Sequence, residues 1–423
     1  MLTAIVGINW GDEGKGRMVD LLSQQYDVVI RYQGGNNAGH TVVNDKGKFI
    51  LNLLPSGILR EGTVNVMGPG MVIDLEHLCG EVERLRQGGI TVTPENLKIS
   101  DKATICMPYH KLMDCLEEDR LAGKKFGSTR RGIGPVYGDK YMKKTLRMGD
   151  LRNLAGLKER ISDIVEWKNL TVEKGYGHEP IQAEEMMAWL EQFGTPWLDY
   201  ICDTTLYLTK AADEGKNIMF EAQLGALRDI DFGIFPYTSS SSTIAAYAPI
   251  GSGIPAKKLD NTIGIMKAYS SCVGEGPFTC EYFGEDAKKL RDAGGEYGAA
   301  TGRPRRVGPF DVVASKYGVM MQGADTIALT KVDVMAYMEK VPVVVAYDID
   351  GEITTDFPVG ERLNRAKPVI EYMEGFGDLS SCRKKEELPK AALDYIQYLE
   401  KAVGCPIQYV SVGAERDAYI KMF

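Results

Sequence analysis

The chain lacks the sequence features of membrane, secreted and zinc-binding proteins. No apolar run approaches the ~20 residues that a membrane-spanning helix needs, and Met1–Ile8 is too short and lacks the basic region of a secretory signal. None of the eight cysteines forms a C-x-x-C pair, so neither a zinc site nor a redox motif is predicted. We expect a cytoplasmic protein with no membrane partner.

An excess of positive charge is also absent. The 423 residues carry a net charge of −8, which argues against a nucleic-acid partner. Basic residues are instead concentrated in short clusters at Arg130–Arg131, Lys140–Lys144 and Arg303–Arg306. Such clusters indicate small anionic ligands, although solvated basic loops have the same composition.

Short apolar segments alternate along the chain with amphipathic ones. Strands are predicted at Leu2–Ile8, Val28–Arg31, Val64–Met67, Lys98–Ser100, Asn217–Phe220, Ile263–Tyr269, Thr326–Thr330, Val341–Asp348 and Pro406–Val412. Helices are predicted at Arg17–Ser23, Leu75–Arg86 and Tyr109–Leu121. This alternation is typical of an α/β protein with a large, mostly parallel central sheet and helices on both faces. We expect residues 1–423 to form a single domain, with a helical insertion at roughly 150–215 that packs outside the sheet.

The first predicted strand leads into a phosphate loop, Asn9–Gly16, in a P-loop-NTPase-like order of strand, glycine loop, lysine and helix. Glycines let backbone N–H groups converge on phosphate oxygens, and Lys15 can reach terminal phosphates. Gly16 stands where the usual motif has the Ser or Thr that ligates magnesium. If Mg²⁺ is bound, Asp12 is the nearest alternative ligand. An ordinary glycine turn is the other interpretation.

The second predicted strand leads into a second glycine loop, Gln33–Thr41, which holds amides and one imidazole. His40 is one of only four histidines in the chain, and a histidine in this position can act as a general acid near neutral pH. A purely structural role for His40 stays open at this point. No function is assigned to His77, His110 or His178.

Two further segments contain residues suited to binding a guanine base or an anionic ligand. Lys331 and Asp333 follow the strand Thr326–Thr330, and an aspartate there can accept hydrogen bonds from guanine N1–H and its 2-amino group while the lysine stem packs along the base. Gly298–Arg306 is strongly basic and is expected to be a flexible loop, and arginine forks suit carboxylates and phosphates. The alternative for this second segment is a solvated basic loop.

Together these residues resemble the adenylosuccinate synthetase family. The resemblance rests on WGDEGKG (10–16), RYQGGNNAGHTVV (31–43), LPSGIL (54–59), RRGIGPVYGDK (130–140), TGRPRR (301–306) and TKVD (330–333). It implies a GTP-dependent ligase that joins IMP and L-aspartate through 6-phosphoryl-IMP, giving adenylosuccinate, GDP and phosphate. It also implies one Mg²⁺ per subunit and a cytoplasmic homodimer.

The resemblance also implies roles for individual residues. The catalytic residues would be Asp12 as the base, His40 as the acid and Lys15, which contacts the phosphates. Asp12 and the backbone oxygen of Gly39 would hold Mg²⁺. GTP would contact Gly11, Asp12, Glu13, Gly14, Lys15, Gly16, Arg17, Gly39, His40, Thr41, Arg305, Lys331, Val332, Asp333, Ser411, Val412 and Gly413. IMP would contact Asp12, Glu13, Gly14, Lys15, Asn37, Ala38, Gly39, His40, Thr129, Lys143, Gln223, Leu224, Ser239 and Arg303. Aspartate would contact Ala299, Ala300, Thr301, Gly302, Arg303 and Arg305.

Four positions depart from the family pattern. Lys143 replaces an arginine that reaches the IMP phosphate of the neighbouring subunit, and Ser239 and Ala300 each replace a threonine. An amide expected at Leu224 stands one position earlier, at Gln223, and a one-residue backbone shift could restore its contact with IMP. These changes keep two alternatives open, a related ligase with altered purine nucleotide preference and a GTP-binding regulatory module.

Overall fold

The computed structural model describes residues 1–44, 47–298, 302–415 and 417–423. The strands in this part of the chain, β1 to β20 in order, are Leu2–Gly7, Val28–Arg31, His40–Asn44, Gly47–Leu51, Val64–Met67, Val72–Ile73, Leu97–Ser100, Thr104–Ile105, Ile201–Cys202, Ile218–Glu221, Asn261–Lys267, Ser270–Cys272, Arg306–Gly308, Phe310–Asp311, Thr326–Thr330, Lys340–Ile349, Glu352–Thr354, Lys367–Glu374, Ile407–Ser411 and Tyr419–Lys421. The α-helices, α1 to α12, are Lys15–Leu22, Leu75–Gln87, Pro108–Leu121, Ile133–Met142, Lys158–Val172, Ala183–Gly194, Thr204–Asp213, Ala248–Ser252, Gly284–Gly294, Val312–Gln322, Glu361–Arg365 and Lys390–Val403. Short 3₁₀ helices lie at Ser23–Gln25, Ser56–Leu59, Ala122–Lys124, Met148–Leu157, Thr195–Trp197, Ala226–Arg228, Ala245–Tyr247, Val332–Met335 and Lys385–Glu387.

The central sheet has ten strands in the order β20-β19-β15-β11-β1-β10-β2-β5-β7-β9. Every pairing is parallel except that of β19 with β20. The predicted large, mostly parallel sheet is therefore confirmed. The short strand β20, which is antiparallel to β19, forms one edge of the sheet.

Helices cover both faces of this sheet because the side chains of β1 alternate between them. Ile5 packs with Met18 of α1 in one apolar cluster. Ala4 packs with Leu208 of α7 in another cluster on the opposite face. Burial on both sides explains why β1 is a continuous apolar run and not an alternating one.

Two predicted segments differ in detail from the structure. Val341–Asp348 forms a strand, β16, but it belongs to a separate sheet with β14, β17 and β18. The stretch expected to pack outside the sheet is largely helical, yet its strand Ile201–Cys202 pairs with β7 and α7 packs on the sheet. A short apolar pair inside a helical region gives too little periodic signal to be recognised.

A buried polar cluster fixes α4, which precedes Lys143. His110 Nε2 lies 2.8 Å from Asp139 Oδ2, and the Lys168 ammonium contacts the same carboxylate. All three side chains are almost completely buried, so the cluster ties together α3, α4 and α5. No helix among the described residues is long and apolar enough to cross a membrane.

Candidate active site

The loops that carry the predicted site residues leave one edge of the central sheet. β1, β2, β10 and β15 run parallel, so their carboxyl ends lie along the same edge. The phosphate loop follows β1, the second glycine loop follows β2, Ala222–Gly225 follows β10 and Lys331 follows β15. The topology therefore brings together distant segments, since Thr330 and Glu13 are 317 residues apart in the chain.

The phosphate loop is held in a strained backbone conformation. Gly11, Asp12 and Gly14 have φ angles of 102°, 59° and 99°, a region that glycine adopts freely and aspartate tolerates better than most residues. The Glu13 carboxylate accepts hydrogen bonds from the Asn9 and Gly11 N–H groups at 3.0 and 2.8 Å. These N–H groups thus form an anion-binding site, and in this structure they bind the Glu13 carboxylate.

Lys15 completes this anion-binding site from the first turn of α1. Its ammonium is buried and lies 2.5 Å from Glu13 Oε2. Contact between Lys15 and a phosphate, as the sequence predicts, requires the ammonium to turn from Glu13 towards that phosphate. Thr330 Oγ1 donates to the Glu13 carbonyl at 2.7 Å, which fastens the loop to the end of β15.

Asp12 is the accessible carboxylate of the phosphate loop. Its side chain is 34 % exposed, and Oδ2 lies 3.5 Å from Nε of Arg305. Among the described residues no group of three or more His, Cys, Asp or Glu side chains could hold a metal ion. Mg²⁺ in nucleotide enzymes commonly takes one or two protein carboxylates and completes its shell with phosphate oxygens and water. A single exposed carboxylate within a phosphate loop fits that donor set.

Gly16 has a steric reason to be glycine and not the usual Ser or Thr. A Cβ atom added at Gly16 would lie 2.8 Å from Cβ and 3.3 Å from Cγ of His40. His40 begins β3, and contacts between α1 and β3 place it directly over the phosphate loop. The absence of a side chain at Gly16 therefore makes room for His40.

We expect Gly16→Ser to lower kcat/KM by about a hundredfold, since a shift of about 1 Å in a reacting group has an effect of that size. The glycine lies inside α1, so serine should not destabilise the helix. Steady-state kinetics and thermal unfolding of the variant would measure the two effects. Gly80→Ser in α2 is the matched control, because its Cβ would meet only the flexible end of Arg84. Normal kcat/KM in Gly16→Ser would show that His40 does not need this space.

His40 is oriented by a buried carboxylate. Its Nδ1 lies 2.6 Å from Oε1 of Glu221, at the end of β10, and Ser56 donates to the same carboxylate through its N–H and its hydroxyl, each at 2.7 Å. Burial lowers the pKa of His40 although Glu221 opposes that shift. Burial alone would raise the pKa of Glu221, but its hydrogen bonds and its attraction to His40 lower it overall. Glu221 is therefore ionised, His40 donates through Nδ1–H, and Nε2 is left for a ligand.

Partly buried hydrogen bonds fix the second glycine loop. Asn37 Oδ1 accepts from the Gly35 N–H at 3.3 Å, and Asn52 Nδ2 donates to the Ala38 carbonyl at 3.1 Å. Gly39 and Thr41 are exposed on either side of His40. The predicted IMP contacts in this loop are thus held in place by the backbone around them.

The side chain of Gln223, a predicted IMP contact, is buried between the second glycine loop and Asn52. Gln223 is fully buried, and its side-chain nitrogen donates to the carbonyls of Gly35 and Asn52 at 2.6 and 3.2 Å. Leu224 adopts a φ of 59° and lies against Gly11, whose added Cβ would be 3.3 Å from Leu224 Cα. Gln223 thus supports the second glycine loop in this structure, and Leu224 lies beside the phosphate loop. Contact of either residue with IMP stays a prediction.

Ser239 and Thr129 lie on segments next to these loops. The Ser239 hydroxyl is 3.3 Å from that of Ser241, which donates to Gln33 Oε1 at 3.2 Å. Thr129 is exposed, between Ser128 and Gly132, which both donate to the buried Asp114 carboxylate. Lys143 ends α4 with a φ of 62° and an exposed side chain.

The predicted guanine residues form a second group next to Arg17 of α1. Arg17 donates to Ser411 Oγ at 3.2 Å and to the Gly413 carbonyl at 2.6 Å. Val332 and Val412 are fully buried beneath this group. Asp333 Oδ1 is buried without a hydrogen-bond partner, and burial raises the pKa of its carboxyl. An unpartnered buried acceptor is what a guanine N–H would satisfy.

The structure describes only part of the basic segment Gly298–Arg306. Arg305 donates to Glu296 Oε2 at 2.8 Å and approaches Asp12, whereas Gly302 and Arg303 are exposed and Arg303 lies 3.9 Å from Glu275. The predicted aspartate contacts Ala299, Ala300 and Thr301 lie outside the described residues. The segment therefore connects to the phosphate loop through Arg305.

Sequence reasoning missed Glu221 and Glu296. Glu221 ends a fully buried apolar strand, and an acid in that position is a usable signal because unpaired carboxylates are rarely buried. Glu296 follows α9 in a polar segment and carries no such signal.

Comparison with known proteins agrees with this geometry. The profile of the family described as adenylosuccinate synthetase matches residues 4–420. The chain belongs to the adenylosuccinate synthetase family. It is 44 % identical to adenylosuccinate synthetase 2 of Pseudoalteromonas translucida over 98 % of both chains. It superposes with a TM-score of 0.93 on fully ligated adenylosuccinate synthetase from Plasmodium falciparum, at 33 % identity and covering 100 % of this chain and 99 % of that one.

A more distant solved structure shares the fold alone. The succinoaminodeoxyadenylate synthetase of cyanophage S-2L is 18 % identical, with a TM-score of 0.60 over 100 % of this chain and 95 % of that one. Membership of the adenylosuccinate synthetase family makes this chain a GTP-dependent, GDP-forming ligase of IMP and L-aspartate that uses Mg²⁺. It also removes the alternative of a purely regulatory GTP-binding module.

Proposed function

We propose that ligation takes place where the phosphate loop meets His40. The observation that carries this proposal is the contact between Gly16 and His40, since it puts the acid of the second glycine loop directly on the loop that holds phosphates. The O6 atom of IMP is a poor leaving group, and transfer of the GTP γ-phosphate to it creates a good one. The aspartate amine then displaces that phosphate from C6.

Asp12 and His40 supply the proton chemistry. Asp12 removes the N1 proton of IMP, so that electron density moves to O6 and O6 attacks the γ-phosphorus with release of GDP. For His40 to donate from Nε2 while Glu221 holds Nδ1–H, the ring must be an imidazolium. Negative charge near O6 raises the pKa of His40 and favours that state. Glu221 thus orients the ring and stabilises its charge.

Magnesium fits the same loop. The Asp12 carboxylate and the Gly39 carbonyl oxygen would hold it, and the ion would neutralise charge between the nucleotide phosphates. Arg305, which lies next to Asp12, adds positive charge at the same point. Gly11–Arg17 would bind GTP phosphates, with Lys15 exchanging Glu13 for a phosphate oxygen.

Aspartate would be bound by Arg303 and Arg305. Both lie on the basic segment, and Arg305 already connects that segment to the phosphate loop. Planar guanidinium groups can hold a carboxylate through two hydrogen bonds. Leu224 and Ser239 would line the IMP side, with Asn37, Ala38 and Thr129.

The chain would act as a cytoplasmic homodimer built from one domain. Lys143 is exposed beside Tyr141 and Met142, which are 77 % and 52 % exposed, and exposed apolar side chains often mark protein interfaces. Lys143 would reach the IMP phosphate of the neighbouring subunit as a point charge. All eight cysteines are free, which suits a reducing compartment. A monomer in sedimentation equilibrium would rule the dimer out.

We expect Asp333→Asn to raise KM for GTP about 10- to 100-fold, because hydrogen bonds to a charged acceptor contribute about 1.5–3 kcal/mol each. KM for ITP should rise less, since ITP lacks the 2-amino group that the carboxylate also accepts from. The ratio of kcat/KM for GTP to that for ITP measures the effect. Asp378→Asn, at an exposed position, is the control. An unchanged ratio in Asp333→Asn would mean that Asp333 does not read guanine.

A further inference from the structure

Glu296 is a fully buried carboxylate with cations on both of its oxygens. Oε1 accepts from Lys267 at 2.7 Å, from Lys331 at 3.1 Å and from the Tyr269 hydroxyl. Oε2 accepts from Arg305 at 2.8 Å. Burial alone would raise the pKa of Glu296, but these cations hold it far below its usual range. The carboxylate is therefore charged at any working pH.

The partners of Glu296 come from separate parts of the site. Lys331 follows β15 and is a predicted contact of the guanine base. Arg305 belongs to the basic segment and is a predicted contact of aspartate. The Glu296 carbonyl also accepts from the Arg305 N–H at 2.9 Å, and Tyr297 forms a bridge with Pro304. Glu296 thus stands where the two ends of the basic segment meet.

Lys267 anchors this group to the central sheet. It ends β11 and is buried, with its ammonium 2.5 Å from Ser271 Oγ as well as 2.7 Å from Glu296. Burial lowers the pKa of Lys267 to about 8, against the attraction of Glu296. A buried ammonium with two fixed acceptors has little freedom, so Lys267 fixes the position of Glu296.

We propose that Glu296 is a positioning residue that couples the guanine pocket to the aspartate-binding segment, by holding Lys331 on one carboxylate oxygen and Arg305 on the other. It does not touch the reacting atoms. Because Lys331 and Arg305 share one fixed carboxylate, a ligand that holds Lys331 also restricts Arg305, and a ligand that holds Arg305 restricts Lys331. By linkage, GTP and aspartate improve each other's binding by the same factor. This inference rests on the proposed roles of Lys331 and Arg305.

The test uses Glu296→Gln in the full-length enzyme. Glutamine keeps the size but offers a single neutral acceptor oxygen, so it cannot hold both cations. We expect KM for GTP and KM for aspartate each to rise about tenfold, in line with the loss of one charged hydrogen bond, with a smaller change in kcat. In the native enzyme KM for GTP should fall as aspartate approaches saturation, and in Glu296→Gln it should become independent of aspartate. Glu352→Gln removes an exposed ion pair with Arg362, which belongs to none of the predicted site segments, and is the control.

A double-mutant cycle covers the case in which Glu296→Gln does not fold. Lys331→Met and Arg305→Leu remove the two cations one at a time, and their effects on KM for GTP should be non-additive when Glu296 is present. Additive effects, or aspartate-dependent KM for GTP retained in a folded Glu296→Gln, would overturn the coupling. The variant Asp333→Asn tests the proposed function separately. An unchanged KM for GTP in that variant would refute the assignment of the guanine pocket itself.

Discussion

Replacing Asp12 by asparagine is expected to reduce kcat by about a thousandfold or more, because general base catalysis alone contributes about 10²- to 10⁴-fold. Asparagine has nearly the same shape and accepts no proton. The φ of 59° at this position is also one that asparagine tolerates, so the loop should keep its conformation. Formation of adenylosuccinate, followed by its absorbance, measures the rate.

Two observations would separate catalysis from folding in this variant. Asp12→Asn should unfold at nearly the native temperature, because its side chain is one-third exposed. Asp356→Asn, an exchange at another exposed aspartate, should leave the rate unchanged. A kcat for Asp12→Asn within a few-fold of the native value would remove Asp12 from the proton chemistry.

His40→Gln is expected to reduce kcat by about 10²- to 10⁴-fold, the usual contribution of a positioned acid. Glutamine can neither become a cation nor donate a proton to O6. Because the change leaves Glu221 charged and buried, the variant could lose stability. His40→Gln combined with Glu221→Gln removes that charge and should be as slow as the single variant. His178→Gln, at an exposed histidine, is the matched control.

The single substitution Glu221→Gln is expected to change the pH dependence of kcat/KM. Glu221 raises the pKa of His40, so its loss should lower that pKa further. His40 would then lose its proton at a lower pH than in the native enzyme. The alkaline side of the kcat/KM profile should therefore move to lower pH. A profile that does not move, or normal kcat in His40→Gln, would contradict the role of the pair.

Local sequence signals predicted the parts of the site that lie within one loop. The phosphate loop could be recognised because a buried strand, closely spaced glycines and Lys15 occur in order. Asp333 could be recognised because it follows a strand end. The parallel order of the strands then placed these loops on one edge of the sheet, as observed.

Contacts between distant segments could not be predicted in this way. The packing of His40 on Gly16 joins two loops across the sheet edge, and only the folded chain shows that the glycine is required there. Glu221 meets His40 from 181 residues away. Buried Gln223 donates to the carbonyls of Gly35 and Asn52, and the motif around Gln223 gives no sign of these contacts.

The most direct test of the account follows the O6 atom of IMP. The native enzyme is given GTP, aspartate and IMP labelled with oxygen-18 at O6, and the released phosphate is analysed by mass spectrometry. If O6 attacks the γ-phosphorus, every phosphate released together with adenylosuccinate carries one labelled oxygen. Label recovered in water, with unlabelled phosphate, would contradict phosphoryl transfer to IMP.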